Sequence, residues 1–301
     1  MASKGVVLLA LGDQIYGQMA FNACLSMKVN CPEIPVVLYH DNPAVVSLTP
    51  RHRRLFDAMQ LFPSEYYFYE GKREIFRSKS RMFDFTPFDK TLWLDADVII
   101  HPGKGNQIRE IFNSEYDYYA QTYNLIDCNT GKRLVDSIYP DGLWAKLTDA
   151  LVRRYGLKDK ALPQINSSFV YFEKTERMRA FFEEIKRIWA ESSGHLSKSF
   201  RQELPDEFFF HIAGARLGIQ TPEIPFAPLY GDHEFQAAYG RWIGEDAVLK
   251  NHIGTMLYGL NVPNHIQTIY DTLVERYHDE KNLTKLRPFR HVNKSIRGIR
   301  D

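Results

Sequence analysis

The residues best suited to chemistry are two aspartates one position apart, Asp95-Ala96-Asp97, set between the apolar runs Leu92-Trp93-Leu94 and Val98-Ile99-Ile100. An ionised carboxylate in a buried apolar strand is costly unless it is paired, protonated or bound to a cation. Positions i and i+2 of an extended chain point to one side, so the two acids would concentrate negative charge. A hard divalent cation, Mg²⁺ or Mn²⁺, answers that need and keeps coordination positions open for substrate phosphates. The bland alternative is a strand that ends at Asp95 and leaves both acids solvated in a loop.

A second group is basic. Lys72, Arg73, Arg77, Lys79 and Arg81 fall within ten residues that read as helical. Arg77, Lys79 and Arg81 are candidates to grip a phosphate, a task that one of the three can perform, and otherwise they form a solvated helix face. A third group, Asp206-Glu207 after Pro205, opens an apolar stretch ending at Gly218. Acids there complement a helix macrodipole. The chain contains no G-x-x-x-x-G-K-[ST], no G-x-G-x-x-G after a strand, no G-x-S-x-G and no H-E-x-x-H. The P-loop, dinucleotide, hydrolase and zincin readings lose their main support.

The elements that must position these groups alternate. Val6 to Leu11 is a continuous apolar run, as expected of a strand buried on both faces. Gly12-Asp13 breaks it, and Tyr16, Met19, Ala20, Ala23 and Met27 have the spacing of one helical face. Val36 to Tyr39 reads as the next strand. Strand, helix, strand in this order is a βαβ unit and implies a parallel sheet. Thr91 to Ile100 and Gln164 to Phe172 read as further strands. Helices are expected at 142–155, with Asp141 and Gly156 at its ends, at 175–190 capped by Thr175, and at 206–217. Residues 219–250 read as loop, and Pro263 to Asp279 as an amphipathic helix. The fold class is therefore α/β, a mostly parallel central sheet flanked by helices. One catalytic domain spans 1–260, and a C-terminal helix and basic extension span 261–301.

Composition fits a globular chain: 301 residues, 44% hydrophobic and 25% charged, with a formal charge of +1. Near-neutrality hides an asymmetry, because residues 281–301 carry seven basic side chains against one acidic one. That extension suits contact with a polyanion, a nucleic acid or an anionic membrane surface, through 281–300. Cys24, Cys31 and Cys128 cannot form a paired framework and none lies in C-x-x-C. The short apolar run near the N-terminus is too brief for a signal peptide or a membrane span, so a cytoplasmic location and no transmembrane segment are expected.

Taken together, a buried strand, an acidic D-x-D at its end and a preceding βαβ unit resemble the GT-A nucleotide-sugar glycosyltransferases, with retaining family 8 the nearest in pattern. Three further segments fit in order: Asp13-x-x-Tyr16 followed by Ser26, then Gln164-Ile165-Asn166-Ser167-Ser168, then His252-Ile253-Gly254. The resemblance implies a Rossmann-like GT-A sheet and transfer of a sugar from a nucleotide-sugar donor, UDP-linked, with retention. It implies that Asp13 holds the uracil and Tyr16 stacks on it, that Asn166 faces the sugar, and that His252 joins Asp95 and Asp97 at Mn²⁺ or Mg²⁺. Asp95 would also meet the donor. Two departures are visible. The late lysine of the family motif is missing, which leaves charge neutralisation to Lys250 or to Arg77, Lys79 and Arg81. An acid-amide pair in the family corresponds here to Asp206-Glu207, candidates to stabilise positive charge at the anomeric carbon. The acceptor, whether glycan, protein or nucleic acid, is not indicated. Competing classes are a sugar nucleotidyltransferase, a DNA-modifying glycosyltransferase using the basic tail, and a silent binding scaffold.

Overall fold

The computed structural model describes residues 3–69, 71–101, 103–132, 134, 149–192, 206–222, 227–230 and 252–256. In chain order the first elements are β1 (Lys4–Ala10), α1 (Gln14–Asn30), β2 (Val36–His40), α2 (Pro50–Arg53) and β3 (Ala58–Leu61). They are followed by β4 (Phe68–Tyr69), β5 (Lys72–Arg73), a 3-10 segment (Ile75–Arg81), α3 (Met82–Phe85), β6 (Lys90–Leu94) and β7 (Val98–Ile100). The remainder are α4 (Gly105–Asn113), β8 (Tyr118–Asp127), α5 (Asp149–Tyr155), β9 (Ala161–Glu173), α6 (Glu176–Ser192), α7 (Asp206–Leu217), β10 (Ala227–Tyr230) and β11 (His252–Met256). The expected helix at 263–279, the basic extension at 281–300, residues 142–148 and Lys250 lie outside the described residues. The chain divides into two compact units, one of Met1–Ser3, Pro63–Thr91 and Glu115–Glu223, the other of Lys4–Phe62, Leu92–Ser114 and Ile224–Asp301.

In the second of these units the strands lie in the order β3-β2-β1-β6. β1 pairs parallel with β2 from Val6 opposite Val36 to Ala10 opposite His40, and β2 pairs parallel with β3. Val6, Val7, Leu8, Val36 and Leu38 are buried, as the unbroken apolar runs require for strands covered on both faces. The fold is α/β with a mostly parallel sheet. The return from β1 into α1 passes through Gly12 at φ 94°, a left-handed conformation that side chains disfavour. Every residue of α1 from Gly17 to Met27 is buried, so the helix is enclosed rather than amphipathic. Its small residues allow this: a Cβ added at Gly17 would lie 2.1 Å from the Ala44 carbonyl oxygen.

The single strand expected over 91–100 is two strands. β6 ends at Leu94, residues 95–97 turn, and the turn closes with the Val98 amide donating to the Asp95 carbonyl at 3.1 Å. β7 then joins a separate three-stranded sheet, ordered β10-β11-β7. Aspartate is a poor strand former, and two of them in three residues break the ladder.

In the first unit β8 and β9 form a long antiparallel pair whose register jumps. Ala120 lies opposite Val170, yet Gln121 lies opposite Asn166, so Ser167, Ser168 and Phe169 are extra residues on β9. α6 is amphipathic, burying Met178, Phe181, Phe182, Ile185, Ile188 and Trp189. Thr175 caps it as expected, accepting from the Met178 amide at 3.2 Å. Phe182 packs near Phe172 and Phe210, with ring centroids 4.9 Å and 6.0 Å away, and Trp189 lies 4.1 Å from Phe209. The basic stretch expected to be helical is instead β5 followed by the 3-10 segment, a tighter coil whose three-residue repeat carries Lys79 inward.

Candidate active site

The unit built on β1 and β2 holds an acidic, loop-borne group. Asp13 is exposed and caps α1, its carboxylate accepting from the Ile15 amide at 2.8 Å. Tyr16 follows in the first turn and is half-buried. Asp41, which follows β2, accepts from the Gly12 amide at 2.9 Å through both oxygens and from the Ala44 amide at 3.1 Å. Asp41 therefore fixes the turn that presents Asp13 and Tyr16. Its position directly after a strand was the only sequence signal for it. In open parallel sheets, ligands bind outside the carboxyl ends of the strands, where Gly12, Asp13 and Asp41 follow β1 and β2.

Asp95 and Asp97 are both half-buried in their turn, and the Trp93 indole donates to Asp95 at 3.2 Å. Because the segment turns, the extended-chain argument that aimed both carboxylates to one side does not apply. Ser26 does not reach toward a ligand. It is buried, donates to the Ala23 carbonyl at 2.7 Å and accepts from the Ile100 amide at 3.0 Å, tying α1 to β7.

The strand register bears on His252. β11 runs antiparallel to β7 with Met256 opposite Val98 and Gly254 opposite Ile100, and the His101 amide donates to the Ile253 carbonyl. Met256 is thus level with the end of the acidic turn, and His252 is four residues further along the strand. Among the described residues no three His, Cys, Asp or Glu side chains form a cluster suited to a metal. Two hard carboxylates remain a fitting donor set for Mg²⁺ or Mn²⁺, which complete their shells with water and phosphate.

The other unit holds, by itself, a buried charged node. The Lys79 ammonium lies 2.9 Å from Asp206 and donates to the Ser167 hydroxyl at 2.9 Å. Ser167 donates to Asp206 at 2.5 Å and lies 3.2 Å from Glu207 Oε1. The extra residues of β9 put Ser167 in this position, since a bulge re-aims a side chain out of the strand alternation. Burial would raise the Asp206 carboxyl, but the Lys79 charge and the Ser167 hydroxyl outweigh it and hold Asp206 below the usual carboxylate range. Burial and the adjacent Asp206 charge push Glu207 up to about 8, against the pull of Lys79. His211, one turn further along α7, is lowered by burial to about 4 and receives the Ile165 amide on Nε2 at 3.0 Å.

Of the basic trio, Lys79 alone enters this node. Arg77 stacks over Tyr69 at 4.3 Å, and Arg81 lies over Tyr66 and pairs with Asp84 at 3.4 Å. Asn166 is buried, and its side-chain oxygen accepts from the Ser168 amide at 2.7 Å, so it shapes the bulge. Sequence reasoning missed Ser167 and His211. The signal for His211 was its i+4 spacing from Glu207.

No protein-family profile matches the sequence, and no curated protein matches it. Solved structures do. The chain superposes on the galactosyltransferase LgtC, solved with donor and acceptor sugar analogues, with a TM-score of 0.51 at 12% identity, over 90% of this chain and 95% of that one. It superposes on the bifunctional glycosyltransferase WbbM with a TM-score of 0.55 at 11% identity, over 90% of this chain and 50% of that one. The apo glycosyltransferase GlyE of Streptococcus pneumoniae gives 0.50 at 10% identity, over 98% of this chain and 63% of that one. The GT-A architecture that the motif order implied is the architecture observed. No helix among the described residues is long and apolar enough to cross a membrane.

Proposed function

We propose that the chain is a glycosyltransferase that moves a sugar from a nucleotide sugar, UDP-linked, to an acceptor with retention of anomeric configuration. The observation that carries this reading is the acidic turn Asp95-Ala96-Asp97 at the carboxyl end of β6, in a fold shared with solved glycosyltransferases. Asp95 and Asp97 would hold Mg²⁺ or Mn²⁺, and the ion when bound offsets negative charge on the leaving diphosphate. Asp13 and Tyr16 meet the uracil, the first as acceptor and the second by stacking. Lys79 supplies fixed positive charge, oriented by Asp206, to the phosphates. Glu207 and Asn166 serve the sugar. Asp206 is committed to Lys79 and Ser167, which suits it to orienting rather than to nucleophilic attack. Retention then rests on geometry at the face of the sugar.

Calorimetric titration with UDP, with and without Mn²⁺, followed by a donor-hydrolysis assay, tests the reading. The expected result is metal-dependent binding that Asp97→Ala abolishes in a folded protein, with UDP released from a UDP-sugar. Release of inorganic diphosphate from UTP and a sugar phosphate would identify a nucleotidyltransferase instead. UDP affinity indifferent to both metal and Asp97 would overturn the reading.

A further inference from the structure

We infer that Glu207 is a neutral carboxylic acid at physiological pH, donating a hydrogen bond within the Lys79–Ser167–Asp206 node, and that its ionisation sets the alkaline limit of the enzyme. The node holds fewer protons than its hydrogen bonds need if both carboxyls are ionised. A serine hydroxyl has one proton to give and two lone pairs to receive. Ser167 Oγ has three neighbours within hydrogen-bond range: Lys79 Nζ at 2.9 Å, Asp206 Oδ2 at 2.5 Å and Glu207 Oε1 at 3.2 Å. Lys79 can only donate, so it takes one lone pair. One carboxyl accepts the hydroxyl proton, and the other meets Ser167 favourably only by donating its own.

The location of the proton follows from the ion pair. Asp206 lies against the Lys79 ammonium with 4% of its side chain exposed, so it keeps the charge and Glu207 keeps the proton. The surroundings agree from each element packed on α7. The 3-10 segment supplies Lys79, and β9 supplies the uncharged Ser167. On α7 itself Asp206 is adjacent, and His211 is neutral and turned to Ile165. α6 sends Glu184 to Arg216, at the opposite end of α7. Among the described residues one positive and one negative charge therefore face Glu207, Lys79 and Asp206, and ionised Glu207 would add a second negative charge. A neutral acid presents the same donor-acceptor pair as an amide.

The test has two arms, and only the second rests on the sugar-transfer reading. Infrared difference spectra of wild type against Glu207→Gln, with ¹³C-glutamate labelling, should show a protonated carboxyl band at neutral pH that disappears above about pH 8. Wild-type transfer should fall about tenfold per pH unit beyond that point, the slope of one ionisation. Whatever activity Glu207→Gln keeps at neutral pH should lack the alkaline fall. If that variant does not fold, the ¹³C band of the labelled wild type, titrated against its own activity, decides. An ionised Glu207 at neutral pH overturns the inference, and so does an alkaline fall that persists in Glu207→Gln. A band that behaves as expected in a protein with no transfer activity would overturn the proposed function and uphold the protonation.

Discussion

Replacing Lys79 with Met keeps most of the side chain's bulk and removes the charge that balances Asp206. The two side chains are 11% and 4% exposed, so the pair is largely shielded from water. Removing one partner of a buried pair costs about 3–5 kcal/mol, because the other charge is stranded. Asp206 has one escape, which is to take up a proton, and this makes the loss depend on pH. In the wild type the folded pKa of Asp206 is depressed. Its contribution is therefore complete above the unfolded pKa and is lost as pH falls through the folded one. In Lys79→Met, burial acts without its counter-charge and the folded pKa rises above the unfolded value. The sign then reverses: stability is kept in acid and lost as pH rises. Each unit of pKa difference is worth about 1.4 kcal/mol. Glu207, whose folded pKa is raised, gives both proteins a falling slope between its unfolded value of 4.5 and about 8, so the informative quantity is the gap between them. That gap should widen from about 1 kcal/mol near pH 5 to the full 3–5 kcal/mol near pH 8. At about 2 °C per kcal/mol for a chain of this size, the melting temperatures should differ by about 6–10 °C at the alkaline end. Paired thermal melts followed by circular dichroism measure it. A gap that is constant with pH, or smaller than about 1 kcal/mol throughout, would refute a lysine buried against Asp206.

Two further predictions concern groups around the site. Ser26→Ala removes the acceptor for the Ile100 amide in a fully buried setting, and urea denaturation should show a loss of about 1–3 kcal/mol. His211, whose folded pKa is lowered from 6.5 to about 4, contributes stability that is complete above about 6.5 and is lost as pH falls toward 4. Its ring-proton resonance should stay fixed between about pH 5.5 and 8, where an unperturbed histidine titrates.

The elements that sequence reasoning placed well are those whose signal is local. Val6 to Leu11 and Val36 to Tyr39 are apolar without interruption, and burial on both faces follows from that alone. Thr175 and Gly218 mark helix ends through their own side chain or its lack. The failures are non-local. Periodicity assigned α1 a single buried face, because it cannot register that Gly17 lets the chain at Ala44 cover the other side. The run through Asp95 and Asp97 looked continuous, because apolar residues on both sides of a turn read the same as one strand. Lys79 was indistinguishable from Arg77 and Arg81 until the 3-10 coil separated inward from outward. Ser167 depended on three extra residues in β9, a property of the partner strand as much as of its own sequence.

The acidic turn also acts as a joint. Leu94 belongs to the parallel sheet and Val98 to the small sheet with β11, so Asp95 and Asp97 are fastened to two separate frames. The placing of the two aspartates is then tied to how β6 and β7 are each held in their own sheet. Gly254 bears on the hold on β7: a Cβ there would lie 2.6 Å from the Ile99 carbonyl oxygen and pry β11 from β7. A substitution at Gly254 would therefore disturb the acidic turn from another strand, leaving both aspartates untouched.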